Sequence, residues 1–201
     1  MSVISGRTLM GPAQPLSLST DVVIVGSGAS GAVVAAELAE AGQKVVILEE
    51  GPHLLPAELG KMRPSETMRR GWREAGMSFT VPIGDSPAIN LMVGRCVGGS
   101  SVMTGGVCFR TPDHILHEWV EELGLRSLSP EAMAPHFDEV ERRCHIELVP
   151  EHMRSRSTVL YGQGAERLGY SLAPNRRNTK DCDGCSRCNF GCPHQAKWSV
   201  D

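Results

Sequence analysis

The sequence is poor in aromatic residues and has no long hydrophobic run. Only 4% of its 201 residues are Phe, Trp or Tyr. No stretch approaches the run of about 18 consecutive apolar residues that indicates a transmembrane helix, so we predict none. The first 20 residues contain one early basic residue, Arg7, but no continuous apolar segment, which is not the pattern of a secretory signal. We therefore predict a cytoplasmic protein in which residues 1–20 form a loosely held arm.

An excess of charge of either sign is also missing. The chain has 20 Lys and Arg against 23 Asp and Glu, a net charge of -3. Without a basic excess, neither nucleic acid nor an acidic membrane surface is a predicted partner. The hydrophobic fraction of 41% is enough for a core, and the length corresponds to one large domain or slightly more.

Seven cysteines are present in a chain for which no secretory signal is predicted. In a reducing compartment this favours metal ligands or free thiols over structural disulfides. We expect three of them, Cys96, Cys108 and Cys144, to be small buried side chains.

Glycine is abundant, and much of it lies in two loops. The first glycine loop, residues 26–31, has the sequence GSGASG. It follows an apolar, β-branched run at residues 21–25 and precedes an alanine-rich stretch at residues 29–41, which predicts a helix. A second buried strand is predicted at residues 44–48, so the whole forms a βαβ unit of about 30 residues.

Each part of this unit suits a dinucleotide. Gly26 permits a tight turn, Gly28 lets a pyrophosphate approach the backbone, and Gly31 lets the helix pack against the strand. The helix start, at Ala29 and Ser30, offers free N–H groups and the positive end of the helix dipole. At the end of the second strand, Glu49 is predicted to accept hydrogen bonds from a ribose diol. The unit alone does not distinguish FAD from NAD.

The second glycine loop, residues 94–106, follows a predicted short strand at residues 89–93. Its backbone N–H groups are suited to a phosphate or the edge of a ring. The hydroxyls of Ser100 and Ser101 are predicted to cap a following helix. The alternative is a flexible loop without a ligand.

With GSGASG, LEEGP at residues 48–52 and GRCVGGSS at residues 94–101, the sequence resembles the glucose–methanol–choline (GMC) oxidoreductase family. The resemblance extends over nearly all of the chain after residue 20. It implies that both loops contact FAD. The implied FAD contacts are Gly26, Gly28, Gly31, Glu49, Gly94, Arg95, Gly98, Gly99 and Ser100.

Two positions depart from the pattern of this family. Thr104 stands where many members have Asn, which implies an altered flavin contact. Some members attach FAD covalently through a His in this loop, and the matching residue here is Met103. The resemblance therefore implies non-covalent FAD.

The fold that the resemblance implies is α/β: a doubly wound, Rossmann-like FAD-binding domain over residues 21–201. Members of the family are more than twice as long, with a catalytic His and its His or Asn partner near the C-terminus. We therefore expect an N-terminal part of such an enzyme. Its sheet would be incomplete, with added helices and a cysteine-rich loop, and no catalytic residue would lie within this chain.

The implied reaction is oxidation of a small-molecule alcohol. A base takes the hydroxyl proton, and the carbon-bound hydrogen passes to FAD as hydride. The electron acceptor would be oxygen, a quinone or a protein carrier. Three alternatives stay open: an NAD-dependent dehydrogenase, which the second loop disfavours; a non-catalytic electron-transfer module; and an inert fragment.

Four cysteines lie close together in the cysteine segment, residues 175–194. Cys182, Cys185, Cys188 and Cys192 have the spacing C-x2-C-x2-C-x3-C and are followed by Pro193. Bacterial ferredoxins use this spacing for iron–sulfur clusters, so a cluster of the [4Fe–4S] or [3Fe–4S] type is the leading hypothesis. A four-thiolate zinc site, disulfides and free thiols are the alternatives. A branch of GMC enzymes that includes long-chain alcohol oxidases has similar segments.

Three further helices are predicted. One begins at Thr111-Pro112 and ends at Gly124, and one begins at Ser129-Pro130, with Pro135 as a possible break. A weaker one covers residues 161–168. We interpret their apolar stripes as core packing and the seven histidines as solvated or structural.

Overall fold

The computed structural model describes residues 3–6 and 16–201. Most of the predicted arm at residues 1–20 thus lies outside the described residues. The chain then enters the predicted βαβ unit: strand β1 (Val22–Val25), helix α1 (Ala29–Glu40) and strand β2 (Val45–Leu48). The two strands are parallel, with Val22 opposite Val45. The three predicted elements are confirmed, with boundaries shifted by one residue.

The β1–β2 sheet has two strands within the described part of the chain, and much of its apolar surface is uncovered. Val25 is 85% exposed, and Val23 and Leu48 are more than half exposed. In helix α1 the only buried residue is Ala35. The architecture is that of a partial Rossmann-like domain, as the sequence predicts.

Six further helices and two strands follow. The helices are α2 (Pro56–Leu59), α3 (Pro64–Gly71), α4 (Ser100–Met103), α5 (Asp113–Glu121), α6 (Pro130–Arg143) and α7 (Arg156–Arg167). Strands β3 (Ile146–Leu148) and β4 (Arg176–Asn178) form an antiparallel pair. Short 3-10 turns lie at Arg73–Gly76, Arg126–Leu128, Glu151–Met153 and Cys188–Phe190.

The core lies beside the second glycine loop, away from the open sheet. Its side chains come from the segments around α2 and α3 and from the second loop itself. They are Leu54, Leu59, Met62, Trp72, Cys96, Val102 and Met103. Burial of each large apolar side chain stabilises the fold by about 1.5–3 kcal/mol. The second loop is therefore anchored in the best-packed part of the molecule.

The strand predicted at residues 89–93 is wrong. This segment makes only isolated bridges, Phe79 with Asn90 and Trp72 with Gly94. Ile89 and Leu91 remain about half exposed. A short apolar run forms a strand only where a neighbouring strand pairs with it and covers it, and among the described residues no strand does so here.

The later helices differ in detail from the predictions. Helix α6 runs unbroken through Pro135. Because proline has no backbone N–H, the carbonyl of Glu131 lacks its helical hydrogen bond, and Glu131 is exposed. Helix α7 starts five residues earlier than predicted, because the Ser155 hydroxyl caps it by accepting from the Thr158 N–H at 3.2 Å. The predicted stripes are only partly core, since Leu123 and Val140 are exposed.

Two of the three predicted buried cysteines are confirmed. Cys96 and Cys144 are buried, whereas Cys108 is half-buried. Burial raises the pKa of the Cys96 thiol to about 12, so Cys96 packs as a small neutral side chain.

Candidate functional site

The first glycine loop leaves open space in front of helix α1. A methyl group at Gly31 would lie 2.1 Å from the Gly26 carbonyl oxygen, so packing of the helix against β1 requires glycine there. Gly28 differs, because a methyl group on it would meet nothing within 4 Å, and its φ of -64° suits any residue. Neither packing nor backbone conformation therefore explains glycine at position 28. A ligand in that space would explain it.

The start of α1 offers hydrogen-bond donors to this space. No side chain caps the helix, and its first turn contains no acidic residue. Within the described residues, the N–H groups of Ala29, Ser30 and Gly31 have no acceptor. Free N–H groups at the positive end of a helix dipole form an anion site. This arrangement fits a dinucleotide phosphate.

Glu49, at the end of β2, is held by the first loop. One carboxylate oxygen accepts from the Ser27 N–H at 2.9 Å and from the Ser27 hydroxyl at 2.7 Å. The other oxygen accepts from the Gly51 N–H at 2.9 Å, and the carboxylate remains partly exposed on the side from which a ribose hydroxyl would approach in a dinucleotide site. Partial burial alone would raise the pKa of Glu49, but these hydrogen bonds outweigh burial and lower the pKa below its usual value.

Ser27 connects the two glycine loops. It is 6% exposed, and its hydroxyl oxygen also accepts from the Gly98 N–H at 3.1 Å. A methyl group at Gly99, where φ is +56°, would lie 2.9 Å from the Gly28 Cα. The second loop thus borders the open space at Gly28. Sequence reasoning missed Ser27, and its only signal is its place between the first two glycines of the loop.

The second glycine loop is closed on itself by its own serines. The Gly94 N–H donates to the Ser100 hydroxyl at 2.9 Å, and the Ser101 hydroxyl donates to the Gly98 carbonyl at 2.7 Å. A methyl group at Gly94 would lie 2.6 Å from the backbone of Gly99. The prediction that both serines cap helix α4 is wrong: Gly99 is the N-cap, and the hydroxyls fold the loop.

Arg95 and Thr104 extend this surface. The Arg95 N–H donates to the Gly71 carbonyl at 2.7 Å. The Nε atom of the Arg95 side chain is buried and has no hydrogen-bond partner in the described part of the chain. The Thr104 hydroxyl accepts from the Gly106 N–H at 3.1 Å. A buried donor without an acceptor is costly, so Arg95 suits a site completed by a ligand.

Lys197 holds the end of helix α4 from far along the chain. Its ammonium group donates to the carbonyls of Ser101 and Val102 at 2.8 Å and of Thr104 at 2.9 Å. The side chain is 4% exposed, and burial lowers its pKa. A buried cation with three carbonyl acceptors fixes the backbone it contacts. The sequence motif around Lys197 gave no indication of this role.

Residues 20–201 match the model of the family described as GMC oxidoreductase. The chain belongs to the GMC oxidoreductase family. Members of this family are in general FAD-dependent enzymes that act on alcohols or similar compounds.

Relatives of this GMC chain support the assignment. An uncharacterised GMC-type oxidoreductase of Mycobacterium tuberculosis is 39% identical over 186 residues, which are 92% of this chain and 29% of the relative. The long-chain-alcohol oxidase FAO4B of Arabidopsis thaliana is 32% identical over 90% of this chain and 23% of its own length. The chain thus spans less than a third of either relative.

Structural comparison supports the same fold. Pyridoxine 4-oxidase from Mesorbium loti matches 81% of this GMC chain and 37% of its own, with a TM-score of 0.62 and 22% identity. Within residues 3–6 and 16–201 we find no helix that combines the length and the apolar character of a membrane span.

The cysteine segment packs against the second loop of the GMC domain. The Arg177 guanidinium donates to the Gly105 carbonyl at 2.6 and 3.0 Å and to the Cys188 sulfur at 2.9 Å. Arg187 donates to the carbonyls of Leu59 and Met62, each at 2.8 Å. Through Arg177 the cysteine segment supports the second loop, and through Arg187 it is attached to the part of the core around helix α2.

The four clustered cysteines are free and half-buried. Four thiolates around one tetrahedral zinc ion lie about 3.8 Å apart, given Zn–S bonds of about 2.3 Å. Among the residues that the structure describes, no three of these four sulfurs lie within 4.8 Å of one another. The four sulfurs are therefore more widely spaced than around a bound zinc ion, and the four-thiolate zinc alternative stays a prediction. The iron–sulfur hypothesis for Cys182, Cys185, Cys188 and Cys192 stays a prediction, since cluster ligands bind separate irons.

Proposed function

We propose that this chain is the FAD-binding part of a GMC enzyme that oxidises the CH–OH group of an alcohol. The observation that carries the proposal is the open space at Gly28. It lies between free helix N–H groups and the second glycine loop, and the fold itself does not require glycine there. The family membership and the alcohol oxidase among the relatives support the choice of FAD and of alcohol.

In the proposal, the first loop binds the pyrophosphate of FAD. Gly26 and Gly31 shape the turn, Gly28 leaves room, and the N–H groups of Ala29 and Ser30 donate to the phosphate oxygens. The Glu49 carboxylate accepts a hydrogen bond from the adenosine ribose.

The second loop faces the other side of the cofactor. The Arg95 guanidinium, whose Nε has no partner among the described residues, is its proposed donor, and Ser100 and Lys197 hold the shape of the loop. Its proposed FAD contacts are Gly94, Arg95, Gly98, Gly99, Ser100 and Thr104. When bound, FAD supplies the group that accepts hydride from the alcohol carbon.

We propose that FAD is bound without a covalent link. Residues 94–106 contain no histidine. Met103 is fully buried, and the end of its side chain lies against Gly71 in the core. This side chain offers no nucleophile to the flavin. We assign the base that takes the hydroxyl proton to sequence outside these 201 residues, and the electron acceptor to oxygen, a quinone or a protein carrier.

The FAD site is tested by fluorescence titration of the reduced, flavin-free protein with FAD. Gly28→Ala places a methyl group in the proposed pyrophosphate space, and we expect FAD affinity to fall at least tenfold, or by about 1.4 kcal/mol. Gly164→Ala is the matched control, because its methyl group also meets nothing within 4 Å. Equal affinity of the two variants would contradict the FAD site.

Alcohol oxidation is tested separately on the complete gene product loaded with FAD. Without oxygen, an alcohol substrate should bleach the visible flavin band, and a colourless aldehyde or ketone should form in equal amount. A protein that binds FAD but is bleached by NADH and by no alcohol would disprove the reaction and leave the FAD site intact.

A further inference from the structure

The cysteine segment brings three different metal-binding side chains together. Ligand atoms of Asp183, Cys185 and His194 all lie within 4.8 Å of one another. The His194 Nε2 is 3.4 Å from the Asp183 Oδ2. None of the three contributes to the proposed FAD site. Of the four clustered cysteines, only Cys185 belongs to this group.

The distances suit a single tetrahedral ion. Zinc binds imidazole nitrogen at about 2.0–2.1 Å and carboxylate oxygen at about 2.0–2.2 Å, which places two such ligand atoms about 3.3–3.5 Å apart. The observed separation between His194 and Asp183 falls in this range. A thiolate at about 2.3 Å from the ion would lie about 3.6 Å from each of the other two ligand atoms, within the observed limit.

The backbone orients the carboxylate for this purpose. The Cys185 N–H donates to the Asp183 Oδ1 at 3.2 Å, while Oδ2 is the oxygen that faces His194. Gly184, with φ of +75°, forms the turn between Asp183 and Cys185. Such hydrogen bonds to ligand groups fix ligand orientation at metal sites.

The site is accessible to a metal from solution. The side chains of Asp183 and His194 are each about half exposed. His194 also lines an open groove of about 420 Å³ together with Asp181 and Lys180. Three protein ligands and free access leave a fourth position for water.

The donor set selects the class of metal. One thiolate, one imidazole and one carboxylate suit zinc and neighbouring transition ions, whereas magnesium and calcium prefer oxygen ligands throughout. We propose that Asp183, Cys185 and His194 bind one divalent transition ion, zinc in the first place, with water at the fourth position. Because Arg177 of this segment and Lys197, three residues after its end, both bind the second loop, the ion stabilises the support of that loop.

The test is a titration of the chelator-treated, reduced protein with Co²⁺, followed by displacement with Zn²⁺. We expect one Co²⁺ per chain, with visible bands of tetrahedral Co²⁺ and a near-ultraviolet band from the cobalt–sulfur bond. Cys185→Ser should abolish the sulfur band, and His194→Gln should weaken Co²⁺ binding at least tenfold. Circular dichroism checks that both variants are folded. Titration with FAD is a second check of folding, because neither altered residue belongs to the proposed FAD site.

Two matched controls separate this site from the rest of the chain. Cys188→Ser removes a thiol of the same segment that contacts Arg177, and His152→Gln removes a histidine outside the group. Both should bind Co²⁺ like the unaltered chain. An equal loss of the sulfur band in Cys188→Ser, or iron with inorganic sulfide in anaerobically purified protein, would overturn the proposal in favour of an iron–sulfur cluster. Absence of Co²⁺ binding would also overturn it and reduce the group to an ion pair.

Discussion

The two glycine loops border the same open space but are held in different ways. The first loop, residues 26–31, takes its shape from near neighbours in one βαβ unit: Gly31 packs on Gly26, and Glu49 binds Ser27. The second loop, residues 94–106, depends on Lys197, which lies 96 residues beyond Ser101. A dinucleotide loop can therefore be local in origin or can be assembled from distant parts of a chain.

The difference is also one of burial. The first loop adjoins a sheet with exposed apolar faces, whereas the second contributes Cys96, Val102 and Met103 to the core. We expect damage to the second loop to lower the stability of the whole domain. Damage to the first should depend strongly on which glycine is changed.

The largest effect should follow loss of the distant support. Lys197→Met keeps the length of the side chain but removes three charge-assisted hydrogen bonds and leaves three carbonyls, among them the buried carbonyl of Val102, without this donor. We expect the free energy of unfolding in urea to fall by about 3 kcal/mol. Lys180→Met, at an exposed lysine, is the control and should change it by less than about 0.5 kcal/mol. Equal free energies of unfolding for the two variants would mean that the second loop keeps its structure without Lys197.

The next effect distinguishes two glycines of the first loop. Gly31→Ala forces a methyl group against the Gly26 carbonyl oxygen, and we expect a loss of about 2 kcal/mol in thermal or urea unfolding. Gly28→Ala enters open space and should cost about 1 kcal/mol or less, the difference between glycine and alanine at an N-cap. If Gly28→Ala were the more damaging to stability, position 28 would be packed against the rest of the fold and would not border a ligand site.

Sequence reasoning succeeded where the physical cause is local. A β-branched run, a glycine turn and an alanine-rich helix follow from the properties of adjacent residues, so β1, α1 and β2 were placed to within one residue. The same reasoning failed at residues 89–93, because a strand needs a neighbour that the local pattern does not show.

The candidate site was predictable only in part for the same reason. The glycines and the acidic residue of a dinucleotide site have a fixed spacing within one βαβ unit. The sequence therefore predicts Gly28 and Glu49 as candidate contacts. The roles of Ser27 and Lys197 depend on which carbonyls and amides the folded chain brings to them. The proximity of Asp183 to His194, 11 positions apart, likewise results from the turns of the cysteine segment.

A smaller effect tests the connection between the loops. Ser27→Ala removes the hydroxyl that donates to Glu49 and accepts from the Gly98 N–H. We expect the free energy of unfolding to fall by about 1–2 kcal/mol, since a buried amide loses its acceptor. Ser171→Ala, at an exposed serine, is the control for the loss of a hydroxyl. No difference between the two in urea unfolding would show that the loops are held independently.

The smallest effect is a pH dependence that belongs to the first loop. The pKa of Glu49 is lowered from an ordinary value of 4.5, so its carboxylate stabilises the fold at every pH above that value. As the pH falls from 4.5 through the lowered pKa, the carboxylate becomes protonated and this contribution is lost. Glu49→Gln has no such titration, so the stability difference between the unaltered chain and the variant should shrink in this acidic window. The paired comparison cancels the carboxylates that both proteins share, among them Glu139 and Glu141, whose pKa values are also low. If the stability difference between the two proteins stayed constant throughout this acidic window, Glu49 would hold Ser27 by hydrogen bonds that do not depend on its charge.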